Sequence, residues 1–230
     1  MAEFWTRYRR NRAAVLGLGI LFTILFMAAT AHLFYPEDPF RLVGRPLSGP
    51  LENGFLLGSD SLGRDVASGI VHGAKTSLLI GLIATLVSIF IGIFFGAFSG
   101  YFGGRVDDLL MRVTEIFQTI PSFIFAILLV AIMKPSIFSI VIAIAVVSWP
   151  GVARLVRGEF LSLKNREFVQ ACHTIGMSDL RVMLREILPN CLSPIIVIGS
   201  LMVATAILIE SGLAFLGLGD PNIMSWGFQI

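Results

Sequence analysis

The chain has 230 residues, of which 56% are hydrophobic and only 14% are charged, and its mean hydropathy is +0.86. Soluble domains carry about 45–50% apolar and about 25% charged residues, so this composition excludes a soluble globular protein and predicts a membrane protein. The formal net charge of +2 is too small, and its charges too confined to loops, to indicate nucleic-acid binding.

Runs of about 20 apolar residues, the length that crosses a hydrocarbon core as a helix, predict the membrane spans. The five runs are 13–35, 76–99, 116–133, 137–156 and 192–216. The first run follows an arginine-containing tail, 1–12, and is longer than the apolar part of a secretory signal, which favours an uncleaved anchor. We therefore predict an all-α polytopic helical bundle in which 36–75 is a loop between the first two spans.

The distribution of basic residues predicts the orientation of these spans. Four arginines precede the first span, and six basic residues surround the segment before the last one: Arg7, Arg9, Arg10, Arg12, Arg154, Arg157, Lys164, Arg166, Arg181 and Arg185. The positive-inside rule places both groups in the cytoplasm. The loop 101–115 is then cytoplasmic, and 36–75 is external.

An amphipathic segment with a central glycine lies before the last run. Phe168, Ala171, Cys172 and Ile175 follow the i, i+3, i+4, i+7 spacing of a helix with one apolar face. Gly176 suits the left-handed conformation that closes a helix. Two short helices that meet at a glycine offer a surface to a grooved partner and can pass movement to the flanking spans.

A second apolar stripe follows this glycine. Ser178 is the predicted N-cap, with Asp179 in the first turn, and Pro189 is predicted to end the run. The stripe consists of Leu180, Met183, Leu184, Ile187 and Leu188.

Residues 170–172, Gln-Ala-Cys, with Gly176 after them and Leu-Pro at 188–189, resemble the EAA loop of ATP-binding-cassette (ABC) importer permeases. That family pattern is Glu-Ala-Ala, three residues, Gly, and a later Leu-Pro. Here glutamine replaces the acidic residue and cysteine the second alanine, so a salt bridge at that position is not expected. The resemblance implies that 157–190 is a coupling loop for cytoplasmic ATPases, with Glu167, Gln170, Ala171, Cys172, Gly176, Asp179, Leu188 and Pro189 as its site residues.

Further motifs are similar to the second permease subunit of dipeptide, oligopeptide and nickel ABC importers, and they cover nearly the whole chain. They lie at 4–17, 57–65, 73–81, 100–107, 148–151, 210–219 and 225–227. The resemblance implies a type I ABC importer transmembrane fold, with an N-terminal module at 13–35 and a MetI-like permease core at 76–230. Relatives continue through a further external stretch and a last span, which we expect to be missing after residue 230.

The resemblance also implies the function and the partners. We expect a multi-pass permease subunit of the bacterial inner membrane, with a cytoplasmic N-terminus and lipid around it. The expected partners are a second homologous permease, two cytoplasmic ABC ATPases and an extracytoplasmic substrate-binding protein, and no nucleic acid. The chain contains no G-x-x-x-x-G-K-[ST] phosphate loop, so we predict no enzyme activity, no catalytic residue and no cofactor here, with ATP and Mg bound by the ATPases.

The sequence leaves the substrate open. The ending Ile-Leu-Pro-Asn at 187–190 resembles the peptide branch, which favours di- or oligopeptides, and nickel or another small solute is the alternative within the family. An ion channel or secondary transporter is the alternative of a different class. Such a protein would need a filter-like run of carbonyls or paired intramembrane carboxylates, and neither is present in the sequence.

Several single residues are weaker candidates. Glu210 lies inside the last apolar run, where an ionisable group indicates a pathway role or a contact between helices or subunits. Trp149 and Pro150 match the family motif and are candidates for a subunit interface, while Pro121 and Pro150 also predict kinks or helix starts. Glycines within the length of one helix, most of them four residues apart, predict close helix packing in lipid: Gly81, Gly92, Gly96 and Gly100.

The external segment 57–75 contains a second candidate site. Asp60, Gly63, Arg64 and Asp65 are candidates for a docking surface for the binding protein. The alternatives are a short interfacial helix, which residues 63–65 would cap, and a loop packed over the pore mouth. No metal site is predicted, because the three histidines lack ligand spacing and the two cysteines fit free thiols.

Overall fold

The structure is a computed structural model that describes residues 8–52 and 54–229. The chain divides into two compact units, residues 1–78 with 221–230, and residues 79–220. Within the described residues the regular structure is helical, and the only β feature there is an isolated bridge between Ser59 and Asp65. The predicted all-α fold class is therefore confirmed.

The first unit contains α1, Arg12–Phe34. Asn11 begins this helix, because its side-chain oxygen accepts hydrogen bonds from the N–H groups of Ala13 and Ala14 at 3.1 and 3.3 Å. The 23 residues of α1 extend about 35 Å, enough to cross a hydrocarbon core of about 30 Å. No residue in its most apolar window is buried, so its side chains are left for lipid.

Helix α2 is continuous over Val66–Phe102 and begins earlier than the span predicted at 76–99. The Asp65 carboxylate starts it by accepting the Ala67 N–H at 2.9 Å. The predicted loop 36–75 therefore ends at Asp65, and no separate interfacial helix forms in 57–75. No proline interrupts the chain between Asp65 and residue 76, so the helix simply continues.

The second unit, all of whose residues are described, contains the remainder of α2 and five further helices. These are α3 Gly104–Thr119, α4 Ser122–Met133, α5 Ile137–Leu163, α6 Glu167–Thr174 and α7 Asp179–Leu218. Helix α7 includes two π-helical turns, at Val182–Ile187 and Ala214–Leu218. Helices α1, α2, α5 and α7 are each long and apolar enough to cross a membrane.

The span predicted at 116–133 is broken. Helices α3 and α4 meet at an angle of 82°, because Pro121 holds the preceding Ile120 in an extended conformation, with φ −92° and ψ 131°. The 12 residues of α4 extend only about 18 Å, less than the hydrocarbon thickness of about 30 Å. The described chain thus has four spanning helices, or five if the bent pair is one span.

Glycines bring α2 and α5 close together. A Cβ added at Gly92 would lie 2.6 Å from Val152 Cγ1, and one added at Gly96 would lie 2.7 Å from Val156 Cβ. At Gly100 it would lie 2.7 Å from Phe160 Cβ. Ordinary carbon contacts are about 3.5–4.0 Å, so only a hydrogen fits at these positions, as the glycine spacing predicts.

Candidate functional site

Helix α6 is attached to the second unit by one side. Val169 is fully buried and Cys172 is partly buried, and both pack in a cluster with Phe160, Val182 and Met183. Only one of the four predicted stripe residues, Cys172, therefore faces this core. Val169, which the predicted stripe omits, is the main anchor of α6.

The other three stripe residues form an exposed apolar surface, which we call the α6 stripe: Phe168, Ala171 and Ile175. Ile175 is 77% exposed and Phe168 is 39% exposed. Beyond the turn, Leu180 and Leu184 are also more than half exposed. A short helix that presents apolar side chains to solvent is typical of a surface that a partner covers.

The turn after α6 is rigid. Gly176 has φ +79°, the left-handed conformation predicted for it. Its N–H donates to the His173 carbonyl at 3.0 Å, and the Met177 N–H donates to the Cys172 carbonyl at 3.0 Å. These two bonds are those of a Schellman motif, and Cys172 and Met177 also pack against the same core cluster.

A tyrosine of α2 ties both sides of this turn together. The Tyr101 hydroxyl donates to the Asp179 carboxylate at 2.7 Å and lies 3.4 Å from His173 Nε2. Asp179, predicted only as a first-turn acid, is therefore an acceptor for α2. Tyr101 is a site residue that the sequence analysis missed, because its partners lie more than seventy positions away.

The start of α7 differs from its prediction in two ways. The Ser178 side chain makes no capping hydrogen bond, and the helix does not end at Pro189 but continues to Leu218. The π-helical turn Val182–Ile187 lies immediately before Leu188 and Pro189. Because a proline ring clashes with the carbonyl four residues earlier and cannot donate to it, a widened turn lets the chain pass Pro189 without a break.

The remaining coupling-loop candidates, Glu167 and Gln170, are exposed on α6 beside the α6 stripe, and Pro189 is exposed on α7. The loop 157–190 therefore collects its predicted site residues on two helices joined by one rigid turn. Cys172 is partly buried, Cys191 is buried, and both are free thiols.

The candidates inside the helices are buried in the second unit. Trp149 is 4% exposed, and the centroid of its ring lies 4.6 Å from that of Phe95 and 5.3 Å from that of Phe117. Trp149 thus joins α2, α3 and α5 within one chain. Glu210 on α7 is 1% exposed, and Pro150 is buried inside α5, which continues through it.

The external candidates build the loop of the first unit. One Asp60 oxygen accepts the Leu62 N–H at 2.9 Å and the Arg64 N–H at 2.8 Å, while Gly63 has φ +84°. The Arg64 guanidinium lies over the rings of Phe40 and Phe228, at 5.1 and 5.8 Å from their centroids.

Asp65 is the remaining external candidate, and it caps α2 itself rather than a separate interfacial helix. It also lies near Tyr35, where burial, and then the charge of Asp65, raise the pKa of the Tyr35 hydroxyl above its ordinary value.

An ion pair fixes α3 against α5. The Asp107 carboxylate accepts both Arg157 Nε and a terminal nitrogen of the same guanidinium at 2.6 Å, and it also accepts the Ser99 hydroxyl. The Asp107 side chain is 15% exposed and the Arg157 side chain is 35% exposed. Such a bidentate pair specifies orientation as well as adding stability.

Asp107→Asn is expected to destabilise the protein by about 1–3 kcal/mol, because it leaves the partly buried Arg157 without its counter-charge. We expect the thermal midpoint of the purified protein in detergent to fall by several degrees. Glu115→Gln, at an exposed acid of the same helix with no ion pair among the described residues, is the matched control. Equal midpoints for the two variants would contradict a stabilising role for the Asp107 pair.

Comparison with known proteins gives consistent matches over this fold. Residues 88–227 match the family described as "Binding-protein-dependent transport system inner membrane component", and residues 1–47 match the "N-terminal TM domain of oligopeptide transport permease C". The chain therefore belongs to the family of binding-protein-dependent transport system inner membrane components. It is a multi-span membrane permease subunit of an ABC importer, as the sequence motifs predict.

Individual relatives agree with this assignment. The chain is 40% identical to the di/tripeptide transport system permease protein DppC of Pseudomonas aeruginosa, over 100% of this chain and 78% of that one. It is 43% identical to the oligopeptide transport system permease protein OppC of Escherichia coli, over 96% and 74%. It is 38% identical to the dipeptide transport system permease protein DppC of Bacillus subtilis, over 98% and 71%.

A solved structure supports the fold. The inward-facing MetNI methionine ABC transporter aligns with a TM-score of 0.58 at 16% sequence identity, over 66% of this chain and 76% of that one. This similarity confirms the predicted type of transmembrane fold.

Proposed function

We propose that this chain is one of two permeases that form the translocation pathway of a peptide importer in the bacterial inner membrane. The relatives named for di-, tri- and oligopeptide transport, at about 40% identity over nearly the whole chain, favour peptides as the substrate. The pathway lies between this chain and a homologous permease. An extracytoplasmic binding protein delivers the peptide, and two cytoplasmic ATPases hydrolyse ATP.

The N-terminus and α6 both lie in the cytoplasm in this proposal. Helices α1, α2, the α3–α4 pair and α5 make four crossings between the arginines before α1 and the basic residues around α6. An even number of crossings returns the chain to its starting side, in agreement with the positive-inside rule.

One observation carries the coupling part of the proposal: the α6 stripe is apolar and exposed on a helix whose opposite side, at Val169, is packed into the core of the second unit. A groove on an ATPase would cover Phe168, Ala171 and Ile175, as grooves bind other amphipathic helices. Val169 then connects any displacement of α6 to α5 and α7, and Tyr101 connects it to α2. ATP-driven closure of the ATPases would in this way tilt the spans and open the pathway to the outside.

Reconstitution of the complex tests this function. The chain is purified from its native membrane with the proteins that remain bound, incorporated into liposomes with ATP inside, and supplied with its binding protein outside. We expect recovery of a second permease and two ATPases, and ATP-dependent accumulation of a radiolabelled di- or tripeptide. Accumulation of nickel without peptide would contradict the peptide substrate, and recovery of no ATPase would contradict the coupling.

A further inference from the structure

A polar cavity of the second unit lies between α3 and α5. It is an open pocket of about 540 Å³, within the range of about 300–1,000 Å³ that is usual for small-ligand sites. Three carboxylates and three guanidinium groups line it: Asp107, Asp108, Glu115, Arg112, Arg154 and Arg157. The lining therefore has equal numbers of positive and negative groups, and a ligand in the pocket meets both.

Among the described residues, one pair of these charges forms an ion pair. Asp107 and Arg157 bind each other and hold the two walls together. Among the described residues, the side chains of Asp108, Arg112, Glu115 and Arg154 make no hydrogen bond or ion pair. Asp108 and Arg112 do not pair although they are four residues apart on α3, so two acids and two arginines remain available to a ligand.

The mixed charges of this lining disfavour ligands that carry charge of only one sign. A phosphate or other pure anion would meet three carboxylates, and a metal cation would meet three guanidinium groups. A ligand that carries one charge of each sign at separate ends avoids both penalties. Short peptides with free termini are such ligands, because each has an ammonium group at one end and a carboxylate at the other.

We propose that this pocket binds the substrate peptide on the cytoplasmic side, as it leaves the translocation pathway; the inference rests on the proposed function. Arg154, the only unpaired charge that α5 contributes to the lining, donates to the peptide carboxylate in a charge-assisted hydrogen bond. Asp108 and Glu115 on α3 take the ammonium group.

Binding is measured on the purified importer in lipid nanodiscs without its external binding protein and without ATP, using a radiolabelled dipeptide. Acetylation of the peptide N-terminus removes the charge of the ammonium group and is expected to weaken binding about tenfold or more. Amidation of the C-terminus removes the charge of the carboxylate and is expected to weaken binding by a similar factor. Arg154→Gln should weaken binding of the free dipeptide and abolish the penalty for amidation. The double variant Asp108→Asn/Glu115→Gln should abolish the penalty for acetylation instead.

Arg105→Gln, at an exposed position on α3 outside the pocket, is the control and should bind as the unmodified complex does. Peptide uptake by the same preparation, with the binding protein restored, separates the two claims. If uptake is normal but nanodisc binding is absent, or is insensitive to the pocket variants, the exit site is disproved and the importer function stands. If no peptide is taken up or bound, the proposed function fails with it.

Discussion

Ala171→Asp is expected to lower the ATP hydrolysis that substrate-loaded binding protein stimulates about 100-fold or more, while leaving the amount of protein in the membrane unchanged. Ala171 lies at the centre of the α6 stripe and is exposed, so an aspartate there meets no other part of this chain. The cost appears only when a partner covers the stripe, because a carboxylate without a counter-charge is then transferred out of water. Such transfers cost several kcal/mol, and about 2.8 kcal/mol corresponds to a factor of 100.

The measurement has two parts, the amount of ATPase that co-purifies with the permease and the ATP hydrolysis that substrate-loaded binding protein stimulates. Ser162→Asp adds the same charge at an exposed position near the end of α5, outside the α6 stripe, and is expected to retain both. Ala171→Asp should lose both. Normal stimulated hydrolysis in the Ala171→Asp complex would contradict the assignment of α6 to coupling.

Local features of this surface are predictable from the sequence because they depend on neighbouring residues. The left-handed Gly176 and the spacing of Phe168, Ala171 and Ile175 follow from single-helix geometry. Which side of α6 faces inward does not follow. Val169 is the residue that anchors α6, and its burial depends on Val182 and Met183, which a separate helix supplies.

The predicted helix boundaries are also inaccurate, for both local and long-range reasons. Hydropathy locates the apolar middle of α2, but the helix extends back to Val66, where the Asp65 cap decides its start. Pro121 indicates a kink, and the 82° angle depends on how α3 and α4 each pack, α3 through Phe117 against Trp149. The contacts Tyr101–Asp179 and Asp107–Arg157 join residues 78 and 50 positions apart, and no short-range pattern specifies such pairs.

The largest effect on stability is expected from Gly96→Val. Gly96 lies against α5 so closely that an added Cβ would be 2.7 Å from Val156 Cβ and 3.0 Å from the Arg157 backbone nitrogen. Neither neighbour can move freely, since Val156 is fully buried and the Arg157 side chain is held by Asp107. Overpacking of a core typically costs about 1–3 kcal/mol, and a bulky residue that meets backbone belongs at the upper end of this range.

Gly158→Val on α5 is the matched control, because a Cβ at Gly158 would meet no atom within 4 Å. Valine is also a better helix former than glycine, so this control should be as stable as the unmodified protein or slightly more so. We expect the thermal midpoint in detergent to fall for Gly96→Val alone. Since separation of α2 from α5 also displaces Arg157, Asp107→Asn should cost less in the Gly96→Val background than by itself. Additive losses in the double variant would show instead that the glycine contact and the ion pair act independently.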